Sequence, residues 1–142
     1  MTRPDWIGLL SRSAPDALTA LWPAVGDLPA PDWLRRPETG SVMVRGRTGG
    51  TGAAFNLGEV TVTRCALRHE GVEGHAFVQG RDAAHATRAA WIDALMQTDR
   101  AEALARDVLA PLAEAERARR ETRARKAEAT RVDFETMVRG ED

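Results

Sequence analysis

The chain has no tyrosine and a single cysteine, Cys65. One cysteine cannot close an internal disulfide, so nothing here suggests a secreted, disulfide-stapled domain. It also cannot hold an iron–sulfur cluster, which takes about four thiolates. Large apolar side chains are scarce as well. Leu, Ile, Val and Phe number 27 of 142 residues, and alanine supplies 25 of the residues behind the 43% hydrophobic fraction. No apolar run reaches the ~18 residues of a membrane span, and the opening Met-Thr-Arg-Pro-Asp lacks the apolar stretch of a secretion signal. With a net charge of −1, no global field draws the protein to nucleic acid or membrane. The expectation is a cytoplasmic, folded domain with a thin core, of the kind that completes its burial against another subunit.

What is abundant is glycine, in one place. Gly46, Gly49, Gly50 and Gly52 lie within seven positions, beside Arg45 and Arg47. Glycines at this density let backbone N–H groups converge on an anion, and guanidinium forks suit phosphate or carboxylate oxygens. The order G-x-x-G-G-x-G fits neither a P-loop nor the dinucleotide fingerprint. Composition favours a flexible hairpin connection over an anion cradle, and the two arginines narrow that gap. Arg45, Arg47, Gly49, Gly50 and Gly52 are therefore the candidate phosphate-binding or interface residues.

The rest of the chain reads as an α+β single domain spanning 1–142, with a small antiparallel sheet. Residues 1–35 predict short helices. One opens at Pro4 with Trp6, Leu9 and Leu10, and another follows Pro15 with Leu18, Leu21, Trp22 and Val25 until Pro23 ends it. Leu28–Asp32 is a stiff connector, with Trp33 and Leu34 expected to pin it to the body. Residues 36–80 form a β-hairpin region: a turn at Arg36–Gly40, then alternation that sets Arg45 and Arg47 on one strand face and Val42 and Val44 on the other. A Leu57–Leu67 strand and a 74–80 partner are joined by a loop at His69–Gly74.

Residues 82–131 predict helices. Asp82 is the N-cap of a helix with Trp91, Ile92, Leu95 and Met96 on one stripe. Asp99 and Glu102 resemble a capping box before Leu104, Val108 and Leu112, with Pro111 kinking that helix or starting another. From Ala113 to Arg131 no apolar side chain exceeds alanine, yet Glu116–Arg120 and Glu121–Arg125 support a helix at i, i+4. Its basic run Arg117–Lys126 is expected to be a solvated or partner-docked face. Alternation of Val132, Phe134, Thr136 and Val138 predicts a terminal strand at 132–139.

Catalytic and metal chemistry find little support. Cys65 and His69 are roughly 13 Å apart along a strand, too far to share an ion with bonds of about 2 Å. His85 is expected at the surface or in an interface. No nucleophile elbow or defensible triad order is present, and Glu38, Glu59, Glu70 and Glu73 read as solvated. The catalytic residues are unknown and no metal site is expected.

Several blocks in fixed order resemble a known family. They are Leu34-Arg-Arg-Pro-Glu-Thr-Gly40, Val42-Met-Val-Arg-Gly-Arg-Thr-Gly-Gly-Thr-Gly52, Phe55-Asn-Leu-Gly-Glu-Val-Thr-Val-Thr-Arg-Cys65, Gly74-His-Ala-Phe-Val-Gln-Gly-Arg-Asp-Ala-Ala-His85 and a block from Lys126 to Glu141 containing Val132-Asp-Phe-Glu-Thr-Met-Val138. They resemble the PhnG family, the small G component of the bacterial carbon–phosphorus lyase system. Phe77 stands where the family suggests tyrosine, and Glu135 where it suggests a second phenylalanine, which weakens the case for a tail strand buried on both faces. The resemblance implies an accessory subunit of a hetero-oligomeric core complex with subunits H, I and J (PhnH, PhnI and PhnJ), alongside ATPase subunits K and L. It implies transfer of an alkylphosphonate to the ribose C1′ of ATP with release of adenine, in phosphonate catabolism. Catalytic residues are implied mainly in PhnI, so this chain alone is expected to be inactive and to bind no cofactor, with ATP the substrate of the complex. A non-catalytic scaffold and a free-standing anion-binding module are the alternatives.

Overall fold

The computed structural model describes the backbone of residues 1–140 and the side chains of residues 1–130. Helices α1 (Arg3–Arg12) and α2 (Pro15–Leu21) open the chain, and a 3-10 turn at Trp22–Val25 follows. Pro4 lies in the first turn of α1, where a missing N–H costs nothing, and Thr2 caps it in a reciprocal box with Asp5. Pro23 ends α2 at Leu21, because no α-helical hydrogen bond can form at its nitrogen.

Three antiparallel strands follow in the order β1-β2-β3: β1 (Asp32–Arg47), β2 (Ala54–His69) and β3 (Val72–Gln79). The predicted turn at Arg36–Gly40 is not one. This segment lies inside β1, a 16-residue edge strand whose register slips between Trp33 and Arg35 and between Arg35 and Glu38. Edge position and irregular pairing accommodate Pro37, which has no N–H to give a ladder. Trp33 does pack on the core, whereas Leu34 is exposed. The predicted loop between β2 and β3 contracts to a tight turn at Glu70 and Gly71, both with positive φ, and His69 pairs with Val72.

Helix α3 (Ala83–Leu95) lies across the sheet face that carries Thr63, Cys65 and Leu67 of β2 with Ala76 and Val78 of β3. Its approach is close: a Cβ on Gly74 would sit 2.0 Å from the carbonyl oxygen of Ala90. Asp82 caps α3 as predicted, accepting from the His85 N–H at 2.9 Å. Seven consecutive α3 positions, Ala89–Leu95, and the following residue Met96 are buried, and all of them but Asp93 join Leu9, Leu10, Leu18 and Val25 in the core. Many of those members are alanines. A core of small side chains buries less area per residue, and close helix–sheet approach is how it still reaches interior packing density.

Helix α4 (Ala101–Leu104) begins without a side-chain cap, its N-cap residue being Arg100; the box predicted from Asp99 and Glu102 does not form. The turn is instead started by backbone bonds and by Arg100, which reaches the carbonyl of Val25. A π turn at Ala105–Leu109 precedes α5 (Ala110–Gly140). Pro111 would crowd the carbonyl of Asp107 in regular α-helix, and the wider π turn opens the backbone there. Leu104, Val108 and Leu112 are buried as their spacing predicts.

The predicted terminal strand at 132–139 is corrected. The backbone of α5 continues helical through Gly140. A helix already nucleated adds one hydrogen bond per residue fixed, so it propagates through a stretch whose alternation alone reads as β.

Candidate functional site

The glycine segment is the tip of the β1–β2 hairpin. Thr48–Gly50 forms a 3-10 turn, with Gly49 at φ 62° and Gly50 at φ 82°. Gly52 is needed for a different reason: a Cβ there would meet the Thr48 carbonyl oxygen at 2.6 Å. The turn closes by Gly52 N–H donating to that same oxygen at 2.8 Å. Arg47 bends back and donates through Nη1 to the Gly52 carbonyl at 3.3 Å. Arg45 and Arg47 share one exposed strand face, as the alternation predicts, while Val42, Val44 and Gly46 on the other face are half-buried. The structure thus brings the five candidate residues together on an arm open to solvent, carrying exposed Met43, Phe55 and Leu57.

A second arrangement was not foreseen. Between the other face of the sheet and helix α5 lies an open cavity of about 800 Å³. Its floor is Val42 and Val44 of β1, Val60 and Val62 of β2 and Phe77 of β3. Its rim carries Arg12 from the end of α1 and Arg119, Arg120 and Arg123 from α5. Residues 116, 119, 120 and 123 follow the i, i+3, i+4, i+7 spacing of one helix face, so the basic run is divided. Arg117 turns elsewhere and pairs with Glu114 and Glu121. That spacing was visible in the chain, but polar side chains at apolar-stripe positions do not announce a buried-side role.

Glu116 anchors this face. It is buried and accepts from Arg12 at 3.0 Å and from Arg120 at 2.8 Å. Burial pushes its carboxyl up, but the Arg12 hydrogen bond and the charges of Arg12, Arg120 and Arg119 outweigh this and hold its pKa below the usual value. Arg119 donates to the Arg12 carbonyl at 2.9 Å.

Of the two places expected for His85, the surface is ruled out: it is buried and borders the cavity. Its side chain turns inward from the first turn of α3 because the Leu10 carbonyl lies 2.9 Å from Nε2. A carbonyl only accepts, so Nε2 carries the proton, and the buried Nδ1 has no partner among the described residues.

Asp93 is the other polar group that sequence reasoning missed. Fully buried on α3, it accepts from Arg3 Nε and Nη2, from Trp6 Nε1 and from the backbone N–H of His75. An acid set between Ile92 and Ala94 on an apolar helix was the available signal.

The remaining candidates are placed singly. Cys65 is buried under α3, and burial pushes its thiol pKa up to about 11. His69 packs edge-on against Trp91 instead of turning toward Cys65. Glu38 and Glu73 sit in exposed ion pairs with Arg35 and Arg68, the exposed Glu70 lies 3.7 Å from Nε2 of His69, and Glu59 is exposed. Among the described residues no three His, Cys, Asp or Glu side chains converge as a metal ligand set, and no helix is long and apolar enough to cross a membrane.

Comparison with known proteins gives a match along almost the whole chain. The family pattern described as phosphonate metabolism protein PhnG matches residues 1–140. A relative from Rhizobium meliloti (strain 1021), named alpha-D-ribose 1-methylphosphonate 5-triphosphate synthase subunit PhnG, is 47% identical over 141 residues, covering 99% of this chain and 90% of the relative.

Proposed function

The chain belongs to the PhnG family of phosphonate metabolism proteins, and on that premise we propose that it is an accessory subunit of a carbon–phosphorus lyase core complex. In this reading it supports transfer of an alkylphosphonate to the ribose C1′ of ATP with release of adenine, in the cytoplasm. Its partners are subunits H, I and J, with ATPase subunits K and L. The observation that carries the reading is the near-complete match to a relative named as a synthase subunit. The architecture supports it: a thin alanine-rich core bears two projecting elements, the β1–β2 arm and α5, whose exposed faces suit a subunit.

Displacement at C1′ requires a cradle for the triphosphate, a polarised leaving group and a positioned phosphonate oxygen. Arg45, Arg47 and the backbone N–H groups around Gly49, Gly50 and Gly52 are proposed for the first task. A second reading makes the same arm an interface element, favoured by exposed Met43, Phe55 and Leu57 beside those arginines.

The test has two steps. Tagged protein is recovered from its host grown on methylphosphonate as sole phosphorus source, and co-purifying subunits are identified by mass spectrometry. Adenine release from ATP plus methylphosphonate is then measured for assemblies carrying wild-type chain or Arg45→Ala/Arg47→Ala. Recovery without partner subunits overturns the subunit reading. Intact assembly with slower adenine release supports the phosphate role; lost assembly supports the interface role; unchanged assembly and release sink both.

A further inference from the structure

The cavity between α5 and the sheet combines two chemistries that one small molecule satisfies together. Four guanidiniums (Arg12, Arg119, Arg120 and Arg123) face one carboxylate, Glu116, which leaves three positive charges in excess along the lining. Glu116 is bonded to Arg12 and Arg120, so the uncommitted charge belongs to Arg119 and Arg123. Arg119 spends one N–H on the Arg12 carbonyl, and no carboxylate pairs with Arg123 among the described residues. Opposite them lies an apolar floor: Val42 against Val60, flanked by Val44 and Val62, with Phe77 at its side. A volume of about 800 Å³ lies within the range of small-molecule sites.

We infer that this cavity binds a phosphorylated small molecule, its phosphoryl oxygens held by Arg119 and Arg123 and its apolar part laid on the valine floor. Paired arginines at i, i+4 on a helix present two forks to neighbouring oxygens, and bidentate guanidinium–phosphate bonds are among the stronger hydrogen bonds available. The Glu116 pairs hold Arg12 and Arg120 in place, so the anion meets a pre-ordered rim. This site is distinct from the hairpin tip, since neither Arg45 nor Arg47 borders the cavity. It does not depend on the subunit reading, because binding needs this chain alone.

The experiment is calorimetric titration of the full-length chain with inorganic tripolyphosphate and with ATP at low salt, repeated on the assembly with which the chain is purified. Circular dichroism confirms that each variant is folded. Saturable binding of tripolyphosphate is expected, with ATP, which adds a flat apolar ring to the same three phosphates, binding more tightly. Arg119→Ala/Arg123→Ala weakens both by roughly tenfold or more, as loss of charge-assisted bonds predicts. Val44→Glu, which sets a carboxylate on the floor, weakens both, while Arg106→Ala, in an exposed pair with Asp107 and outside the cavity lining, leaves them unchanged. No binding to folded wild-type chain and assembly, or equal binding by the Arg119/Arg123 variant, overturns the inference. So does a variant that binds no phosphate differently from wild type yet loses its partner subunits, since the cavity is then a protein interface. Partner recovery and phosphate binding are read separately, so either proposal can fail without the other.

Discussion

The carboxylate of Asp93 receives the backbone N–H of His75 at 2.8 Å, so a helix side chain completes the hydrogen bonding of an edge strand. The same carboxylate binds Arg3 and Trp6, which ties α1, α3 and β3 at one point. Breaking a buried, charged junction leaves its partners unsatisfied and costs about 3–5 kcal/mol. Asp93→Ala is therefore expected to lower Tm by roughly 10 °C or more. Asp93→Asn, which keeps the shape and an acceptor oxygen, costs less. A fall of under ~2 °C for the alanine variant, measured by thermal melting, contradicts this role.

Gly74 is where α3 rests on the sheet. A Cβ at this position would lie 2.0 Å from the Ala90 carbonyl oxygen and 2.9 Å from the Ala94 methyl, so Gly74→Ala has to push the helix away. The expected loss is about 3 kcal/mol, the upper end for overpacking, because backbone must move. Gly40→Ala, at an open position on β1, serves as the control and stays within ~0.5 kcal/mol. Equal melting of the two variants refutes the close-packing argument.

Burial raises the Cys65 thiol to about 11, so the folded protein holds almost no thiolate at neutral pH. A maleimide or iodoacetamide label is expected to react slowly with native protein and rapidly after denaturation. Linkage gives a second readout. The folded thiol keeps its proton while the unfolded one, near its ordinary value of 9.0, releases it, so the unfolded state binds fewer protons. Stability should then fall as pH rises from about 9 toward 11, and Cys65→Ser should flatten that slope. Fast labelling of the folded chain would show the thiol to be open.

Glu116 acts at the other end of the pH scale. Its folded pKa lies below the ordinary 4.5, so its contribution is present above that value and disappears as pH falls through the depressed one. Wild-type protein is expected to be more stable than Glu116→Gln at pH 7, with the difference shrinking below about pH 4.5. Denaturant unfolding at pH 7 and pH 3 measures it. A difference that is constant with pH means the ion pairs with Arg12 and Arg120 contribute nothing.

Periodicity made much of this fold legible. Leu9 and Leu10, the Trp91–Met96 stripe, Leu104, Val108 and Leu112 are buried where helical spacing put them, and Asp82 caps α3. Three features escaped because local pattern competes with context. Pro37 signals a turn, yet an edge strand with slipped register tolerates it. Val132–Val138 alternates, yet it continues a helix already formed upstream. The hairpin tip was readable because Gly49, Gly50 and Gly52 carry the turn in their own backbone. The basic cavity was not, since its floor comes from three strands and its rim from two helices. Only the fold brings Val60 and Arg123 to the same space.

The π turn before Pro111 has one more effect. Its wider loop changes the angular phase with which α5 leaves the core, and each residue of α-helix turns the axis by about 100°. Taking one residue out of this turn, such as the exposed Asp107, would shift that phase and swing Arg119, Arg120 and Arg123 roughly a third of a turn around the rod. Where those guanidiniums aim is thus decided several residues upstream of them, as the indexing of a cam is decided by its key and not by its lobes.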